Sequence, residues 1–186
     1  MKRAACFTFL VFFLMGCSRE SGEIETGMQL RTRLLKAQQC GFSVHITTDY
    51  GDTLQKFSMD CSADVDGNIS FVVTAPDTIS DISGKLTGDG GELVFDDSVL
   101  MFPLLAEGSI SPVSSPWILI KTLRSGYLTS AGFENNKVRL SIDDSYRDNS
   151  LHLDIWLQEN DFPEYADILY EGKRIVHLSV ENFWIV

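Results

Sequence analysis

The sequence predicts an α+β fold, in which a strongly curved antiparallel half-barrel of about 10 or 11 strands carries helices on its concave side. Many short segments alternate apolar and polar residues, as strands with one buried and one solvated face do. The turns between these segments are short, which favours a meandering antiparallel sheet over a parallel one. One mid-chain segment, residues 111–126, carries strong helix signals, and its broad apolar stripe needs a sheet to cover it.

The amino-terminal residues predict export and lipid attachment. Met1–Arg3 is a positive segment, residues 4–14 form an apolar run rich in Phe, and Leu14–Cys17 matches a lipobox. The apolar run is too short to span a bilayer comfortably as a mature helix. We therefore predict a lipoprotein signal peptide at residues 1–16 and lipidation of Cys17.

The remaining chain is predicted to divide into a lipidated tether, residues 17–27, and a single half-barrel domain, residues 28–186. A thioether-linked diacylglycerol contributes about 0.8 kcal/mol per buried CH2, so acyl chains of the palmitate class hold the protein on a membrane. The predicted location is the extracytoplasmic face of the cell membrane. Ser18, directly after the lipid site, is compatible with the outer membrane of a two-membrane cell.

The charge of the chain excludes one class of partner. The formal net charge is −11, and loss of Lys2 and Arg3 with the signal peptide changes it to −13. An acidic domain is repelled by nucleic acid and by anionic headgroups. We therefore predict no nucleic-acid partner, and membrane attachment depends on the diacylglycerol of Cys17.

Two of the four cysteines are predicted to form a disulfide. Cys6 leaves with the signal peptide and Cys17 carries the lipid, which leaves Cys40 and Cys61 in an oxidising compartment. A chain reversal near residues 50–51 places these two opposite each other in a hairpin. The same register pairs apolar residues, namely Phe42 with Met59 and Val44 with Phe57. A disulfide there is expected to stabilise the fold by about 3 kcal/mol.

The other elements follow from residue periodicity and turn signals. Residues 28–39 predict a short helix with Leu30, Leu34 and Leu35 on one side. The predicted strands are 41–49, 54–62, 69–75, 79–87, 92–95, 98–102, 127–133, 137–142, 151–157, 164–170 and 173–181. Polar or glycine-containing turns separate them.

The central helix has start and stop signals. Ser115 is expected to cap it, Pro116 suits its first turn, and Gly126 is expected to end it in the left-handed conformation. Its apolar stripe consists of Trp117, Leu119, Ile120 and Leu123. Two interpretations are open, a plain core helix and a helix that lines or plugs a lipid-sized hollow.

No catalytic or metal site is predicted. The sequence has no G-x-S-x-G elbow and no H-E-x-x-H pair, and its histidines are His45, His152 and His177. His152 and Asp154 share one strand face, but two ligands make a poor metal site. The acidic segment 64–68 lacks the glycine and glutamate positions of a calcium loop. We predict that the protein is not an enzyme and has no cofactor and no metal.

The lipobox, the alternating strands, the segment Pro76–Leu86 and the helix that follows Ser111 together resemble the LolA/LolB/LppX lipoprotein superfamily. Within it, the chain looks most similar to uncharacterised lipoproteins of Gram-positive bacteria. The resemblance implies an unclosed half-barrel of roughly eleven strands whose concave side is covered by helices. It also implies a hydrophobic cavity of the kind that holds acyl chains.

Two functions are compatible with these observations. In the first, the protein binds a hydrophobic ligand or acyl chain, in lipid or lipoprotein handling at the cell envelope. The candidates for lining its cavity are Trp117, Ile120, Leu123, Phe42, Val44 and Phe57. In the alternative, the core is filled and the protein is a non-enzymatic envelope interaction or scaffold lipoprotein with an envelope protein as its partner. An apolar hollow larger than about 300 Å³ favours the first function and a filled core the second.

Overall fold

The structure, a computed structural model, describes residues 20–49, 54–96, 98–106, 109–146 and 150–186. Helix α1 spans Glu20–Lys36, and helix α2 spans Ser115–Ser125 directly after a 3-10 turn at Pro112–Ser114. The strands in chain order are β1 (Cys40–Asp49), β2 (Leu54–Ala63), β3 (Ile69–Ala75), β4 (Ser83–Thr87), β5 (Gly90–Phe95), β6 (Ser98–Phe102), β7 (Leu105–Ala106), β8 (Ser109–Ile110), β9 (Tyr127–Glu134), β10 (Lys137–Asp143), β11 (His152–Leu157), β12 (Pro163–Tyr170) and β13 (Lys173–Ile185).

Most of the strands form one open sheet of 11 strands, in the order β6-β5-β4-β3-β2-β1-β13-β12-β11-β10-β9. The strand pairs that the structure describes are all antiparallel. β6 and β9 are the two edges and do not pair with each other, while β7 and β8 form a separate hairpin. The predicted fold class, an unclosed antiparallel half-barrel with helices, is confirmed.

The alternating pattern directs one face of the sheet towards the core. In β3, Ile69, Phe71 and Val73 are buried, whereas Ser70 and Val72 between them are exposed. Helix α1 packs on the same concave side against β9 and β10, and α2 contacts both α1 and β10. Since each fully buried apolar side chain contributes about 1.5–3 kcal/mol, this inner face supplies the main stabilisation of the fold.

Helix α1 is longer than predicted. It spans Glu20–Lys36, whereas the sequence predicted a helix at residues 28–39, so residues 20–27 of the predicted tether are helical. Gly27 permits a close approach to the sheet, because a Cβ at this position would lie 2.9 Å from Cδ2 of Leu140. Within residues 22–27 only Gly27 is buried, so the polar start of this helix touches the sheet at a single small residue.

Arg31 connects α1 to the end of α2. Its Nε donates a hydrogen bond to the carbonyl of Leu123 at 2.8 Å, and its Nη2 donates to the carbonyl of Gly126 at 2.7 Å. Carbonyl groups at a helix C-terminus lack partners within the helix, and the negative end of the helix dipole favours a cation. Arg31 therefore fixes the position of one helix relative to the other.

Helix α2 lies in the core, and its ends differ from the prediction. The N-cap is Ser114, while Ser115 lies inside the helix and its Oγ donates to the carbonyl of Pro112 at 2.6 Å. Gly126 is extended, with φ −70° and ψ 168°, and not left-handed. Its role is in packing, because a Cβ there would lie 2.6 Å from Cγ2 of Ile142. The buried apolar residues of the helix are Ile118, Leu119, Ile120 and Leu123.

The predicted hairpin of β1 and β2 is present, but its predicted register is wrong by two residues. Cys40 lies opposite Ala63, and Phe42 lies opposite Cys61. The last described pair is Asp49 with Leu54, and the chain reversal predicted near residues 50–51 lies outside the described residues. A shift of two residues leaves every side chain on its original face, and the apolar alternation therefore could not reveal it.

The predicted disulfide is not formed, since Cys40 and Cys61 are free and buried. Diagonal neighbours in an antiparallel pair lie about 7–8 Å apart, whereas the Cβ atoms of a disulfide lie about 3.5–4.5 Å apart. Burial raises the pKa of Cys40 to about 11, although nearby Arg124 acts in the opposite direction. Burial also raises the pKa of Cys61. Both thiols are therefore protonated core groups at neutral pH.

Candidate functional site

The residues predicted to line a ligand cavity lie in one apolar core. Phe42, Val44, Ile120 and Leu123 are buried, and Trp117 and Phe57 are half-buried against the same cluster. Val44 comes from the inner face of β1 and Ile120 from α2, and both side chains are fully enclosed by their neighbours. The structure thus brings the predicted residues together as packed core, and their contact with a ligand stays a prediction.

Two hollows formed by described residues lie away from these six side chains. One of about 540 Å³ lies on the outer face of β2 to β5, where Asp60, Val72, Lys85 and Glu92 are among its lining residues. Another, of about 610 Å³, surrounds the turn between β9 and β10 at Asn136. Both therefore lie outside the core that the helices cover.

Strand β6 exposes apolar side chains on both faces of the sheet. Val99, Leu100 and Met101 are 59%, 62% and 69% exposed. In the register with β5, Leu100 lies opposite Leu93 of the inner face, so Val99 and Met101 point to the outer face. Phe95 of β5, 58% exposed, extends the inner-face surface. We call Phe95, Val99, Leu100 and Met101 the β6 surface.

The two edges of the sheet differ in how they are protected. Natural edge strands usually carry a charged residue, a proline or a bulge that prevents pairing with another chain. The segment Ser98–Phe102 has no charged residue and no proline, and its pairing with β5 has no bulge. At the opposite edge, the pairing of β9 with β10 shifts register between Ser141 and Ile142, and α1 packs against β9. Of the two edges, β6 therefore has fewer of the features that prevent pairing with a further strand.

Carboxylates flank both ends of β6. Asp96 lies in the turn that precedes it, and Asp89 lies two residues before Gly91, the partner of Phe102 at the other end. Glu92 lies opposite Met101 on the outer face. Lys85, a basic residue of β4, lies opposite Glu92 of β5. The β6 surface is therefore an apolar strand with a negative charge near each end.

A polar cluster covers the outer face of β10 and β11. Asp154 is only 7% exposed, and its carboxylate accepts hydrogen bonds from Nη2 of Arg139 and Oγ of Ser141, each at 2.6 Å. Burial opposes ionisation, but the hydrogen bonds from Arg139 and Ser141 dominate and lower the pKa of Asp154. Asp154 points outward as predicted, yet it is not solvated, because its neighbours cover it.

The histidines also lie on the outer face, in contact with acidic or hydroxyl groups. His152 Nδ1 lies 2.7 Å from Oδ1 of Asp143, and His177 Nδ1 lies 2.6 Å from Oδ1 of Asp167. His45 Nδ1 lies 2.7 Å from Ser58 Oγ. Among the described residues, no group of three or more His, Cys, Asp or Glu side chains is arranged to hold a metal ion. Each of the three histidines therefore takes part in polar contacts on the outer face of the sheet.

The predicted lipid attachment site, Cys17, lies outside the described residues, as does the predicted signal peptide. Within the described ranges, neither helix combines the length and apolar character needed to cross a bilayer. The first described residue, Glu20, follows Cys17 by three positions and already belongs to α1.

No family model and no curated protein matches the sequence. Solved structures do share its architecture. A LolA superfamily protein from Nitrosomonas europaea is 10% identical, with a TM-score of 0.47 over 86% of this chain and 93% of that one. A resemblance to this superfamily was predicted from the sequence, and the similarity found here is one of fold alone.

Two further solved structures show the same likeness. The lipoprotein LppX of Mycobacterium tuberculosis is 14% identical, with a TM-score of 0.42 over 87% of this chain and 93% of that one. A putative outer membrane lipoprotein-sorting protein domain from Vibrio parahaemolyticus is 7% identical, with a TM-score of 0.47 over 87% of this chain and 91% of that one. At these identities the likeness concerns the fold alone.

Proposed function

We propose that this chain is a lipid-anchored, non-enzymatic protein of the extracytoplasmic cell envelope that binds a partner protein through the β6 surface. The observation that carries the proposal is the two-sided exposure of β6, where Leu100 faces inward and Val99 and Met101 face outward. Exposed apolar surface that serves no packing role inside the molecule is typical of an interaction site. Of the two functions weighed from the sequence, this is the envelope interaction module.

Membrane attachment through Cys17 is the second part of the proposal. Its support is the lipobox Leu14–Cys17. Because Glu20 of α1 follows Cys17 by three residues, and a residue spans at most about 3.6 Å, a lipid on Cys17 would keep the start of α1 within roughly 11 Å of the anchor. The domain would then work close to the membrane surface, without a long tether.

A carrier of acyl chains is the second candidate. Its support is the inner-face part of the β6 surface, where Phe95 and Leu100 lie beside the half-buried Leu93. The filled core weighs against an enclosed ligand, since Val44 and Ile120 are fully buried by protein neighbours. An acyl chain would cover the inner face only and would leave Val99 and Met101 in water. A protein partner can cover both faces.

Non-enzymatic action is supported by the way the titratable groups are used. Asp154 is held by Arg139 and Ser141, and the carboxylate partners of His152 and His177 lie on the solvated outer face. None of these groups lines either of the two hollows described above, whereas the titratable groups of an active site usually line a pocket.

The two candidates are distinguished by photo-crosslinking in living cells. A photoreactive amino acid is placed at Leu100 on the inner face, at Val99 on the outer face, and at Phe133 on the opposite edge, which is 65% exposed and serves as the control. We expect a protein crosslink of one defined mass at positions 99 and 100 and none at 133. A lipid-sized adduct at position 100 alone, with a stoichiometric lipid in native mass spectra, would establish the carrier instead.

A further inference from the structure

We infer that the partner contributes an extended, apolar segment with basic residues at its ends, which adds to the sheet as a twelfth strand beside β6. This inference rests on the proposed function and specifies its partner. An antiparallel edge strand directs alternate backbone N–H and C=O groups away from the sheet, and these groups can pair with an added strand. Among the described residues, β6 is an edge of the sheet and pairs with β5 alone.

The shape of the β6 surface favours a strand over other occupants. The segment Ser98–Phe102 is extended and contains no proline, while Pro103 directly after it lacks an N–H and ends the pairing surface. Because successive residues of an added strand alternate between faces, its side chains would lie beside Leu100 on one face and beside Val99 and Met101 on the other. A helix or a lipid chain would contact only one of these faces.

The charge of the surroundings selects a basic partner. Asp96 and Asp89 lie at opposite ends of β6, and Glu92 lies beside its outer face, so an added strand meets carboxylates at both ends. Lysine or arginine residues on either side of an apolar centre would pair with them. A second copy of this chain would instead bring like charges together, and so would an anionic membrane surface. Charge therefore favours a different, basic protein segment.

The test uses the full-length protein in nanodiscs of phosphatidylcholine and a fluorescein-labelled peptide, Lys-Lys-Val-Thr-Val-Leu-Val-Lys-Lys. Three matched peptides accompany it. One carries glutamate in place of every lysine, and the other two are N-methylated on the odd-numbered or the even-numbered residues of the apolar centre. N-methylation removes the N–H groups along one side of a strand only. Binding is followed by fluorescence anisotropy.

We expect the basic peptide to bind with a Kd on the order of micromolar, and the acidic peptide to bind at least about tenfold more weakly at low salt. One N-methylated peptide should lose binding and the other should retain it, because only one side of the strand faces β6. The variant Met101→Lys should weaken binding by about tenfold, since a lysine on an edge opposes pairing. The matched variant Phe133→Lys on β9 should leave the affinity unchanged. Thermal unfolding checks that both variants fold.

Four results would overturn the inference. Equal binding of both N-methylated peptides would show that no backbone pairing occurs, and equal binding of the acidic peptide would remove the charge argument. A concentration-dependent dimer that Met101→Lys converts to a monomer would identify a second copy as the occupant. If the peptides fail to bind but the crosslinks at positions 99 and 100 persist, the added strand is wrong and the proposed function stands. If the crosslinks are absent while the basic peptide binds, the proposed cellular function fails.

Discussion

The guanidinium of Arg139 donates a hydrogen bond of 2.6 Å to the carboxylate of Asp154 on the outer face of the sheet, opposite the face on which α1 and α2 pack. The ring of Trp156 lies 5.4 Å from the same guanidinium. Because the side chains of Arg139 and Trp156 cover it, Asp154 is buried on a face that the alternating pattern predicts to be exposed to solvent. A polar face of an antiparallel sheet can thus form its own small, ordered layer.

This pair predicts how stability depends on pH. The pKa of Asp154 in the folded protein is lower than its ordinary value of about 3.9. The ionised carboxylate therefore stabilises the fold fully above that ordinary value, and this stabilisation is lost as the pH falls through the folded-state pKa. Asp154→Asn should lower the free energy of unfolding at neutral pH by about 1–3 kcal/mol. It should also flatten the acid limb below about pH 4. Urea unfolding across this range measures both effects.

The control for Asp154→Asn is Asp66→Asn, at an exposed position in the turn between β2 and β3. It should leave the neutral-pH midpoint unchanged. Identical acid limbs for the wild type and Asp154→Asn would contradict the assignment of acid sensitivity to this pair.

A substitution of Gly126 is predicted to disturb packing, although the sequence suggested that this glycine acts as a helix cap. A Cβ there would lie 2.6 Å from Cγ2 of Ile142 and 2.7 Å from the carbonyl oxygen of Thr122, and the backbone atom cannot move aside cheaply. Gly126→Ala should therefore destabilise the protein by about 1–3 kcal/mol. Gly132→Ala is the control, since no atom lies within 4 Å of the Cβ it would add. Chemical denaturation should separate the two variants, and equal midpoints would refute the packing account.

Replacement of Thr122 by valine is predicted to raise the stability of the protein. It is buried, and its Oγ1 has no hydrogen-bond partner among the described residues. Removing an unpaired buried hydroxyl relieves a desolvation cost, so Thr122→Val should raise the free energy of unfolding by up to about 1 kcal/mol. Thr129→Val is the matched comparison, because Oγ1 of Thr129 donates to the carbonyl of Ser141 at 3.0 Å. That substitution should destabilise, and the same sign for both would show that Thr122 is hydrogen-bonded in solution.

The architecture could be predicted because apolar alternation reports the face that each residue occupies. Ile69, Phe71 and Val73 occupy alternate positions of a predicted strand and are buried in the structure. Register is different, since the pattern repeats every two residues and any even shift satisfies it equally well. The cysteine positions fitted one such shift, and the structure has another. Alternation therefore determines the faces of a hairpin but leaves its register open.

The β6 surface could not be predicted for a related reason. Val99–Phe102 reads as an ordinary apolar strand, and the sequence does not show which strands the helices cover. In the structure α1 packs on β9 and β10, far along the sheet order from β6. The unbroken apolar run Val99–Phe102, without a polar residue on either face, is the one signal that could have indicated it.

The corrected hairpin register leads to the last prediction, which concerns Cys40 and Cys61. Because burial raises the pKa of both thiols, neither is expected to react with a thiol reagent in the native protein at pH about 8, where thiolates are the reactive species. Both should react at once in denaturant without prior reduction, and a reductant should leave the unfolding midpoint unchanged. A soluble form that begins at Ser18 lacks both Cys6 and Cys17, so that two thiols are counted, and Cys40→Ser identifies the contribution of each. A midpoint that falls with reductant by the equivalent of about 3 kcal/mol would show that the two sulfurs are bonded.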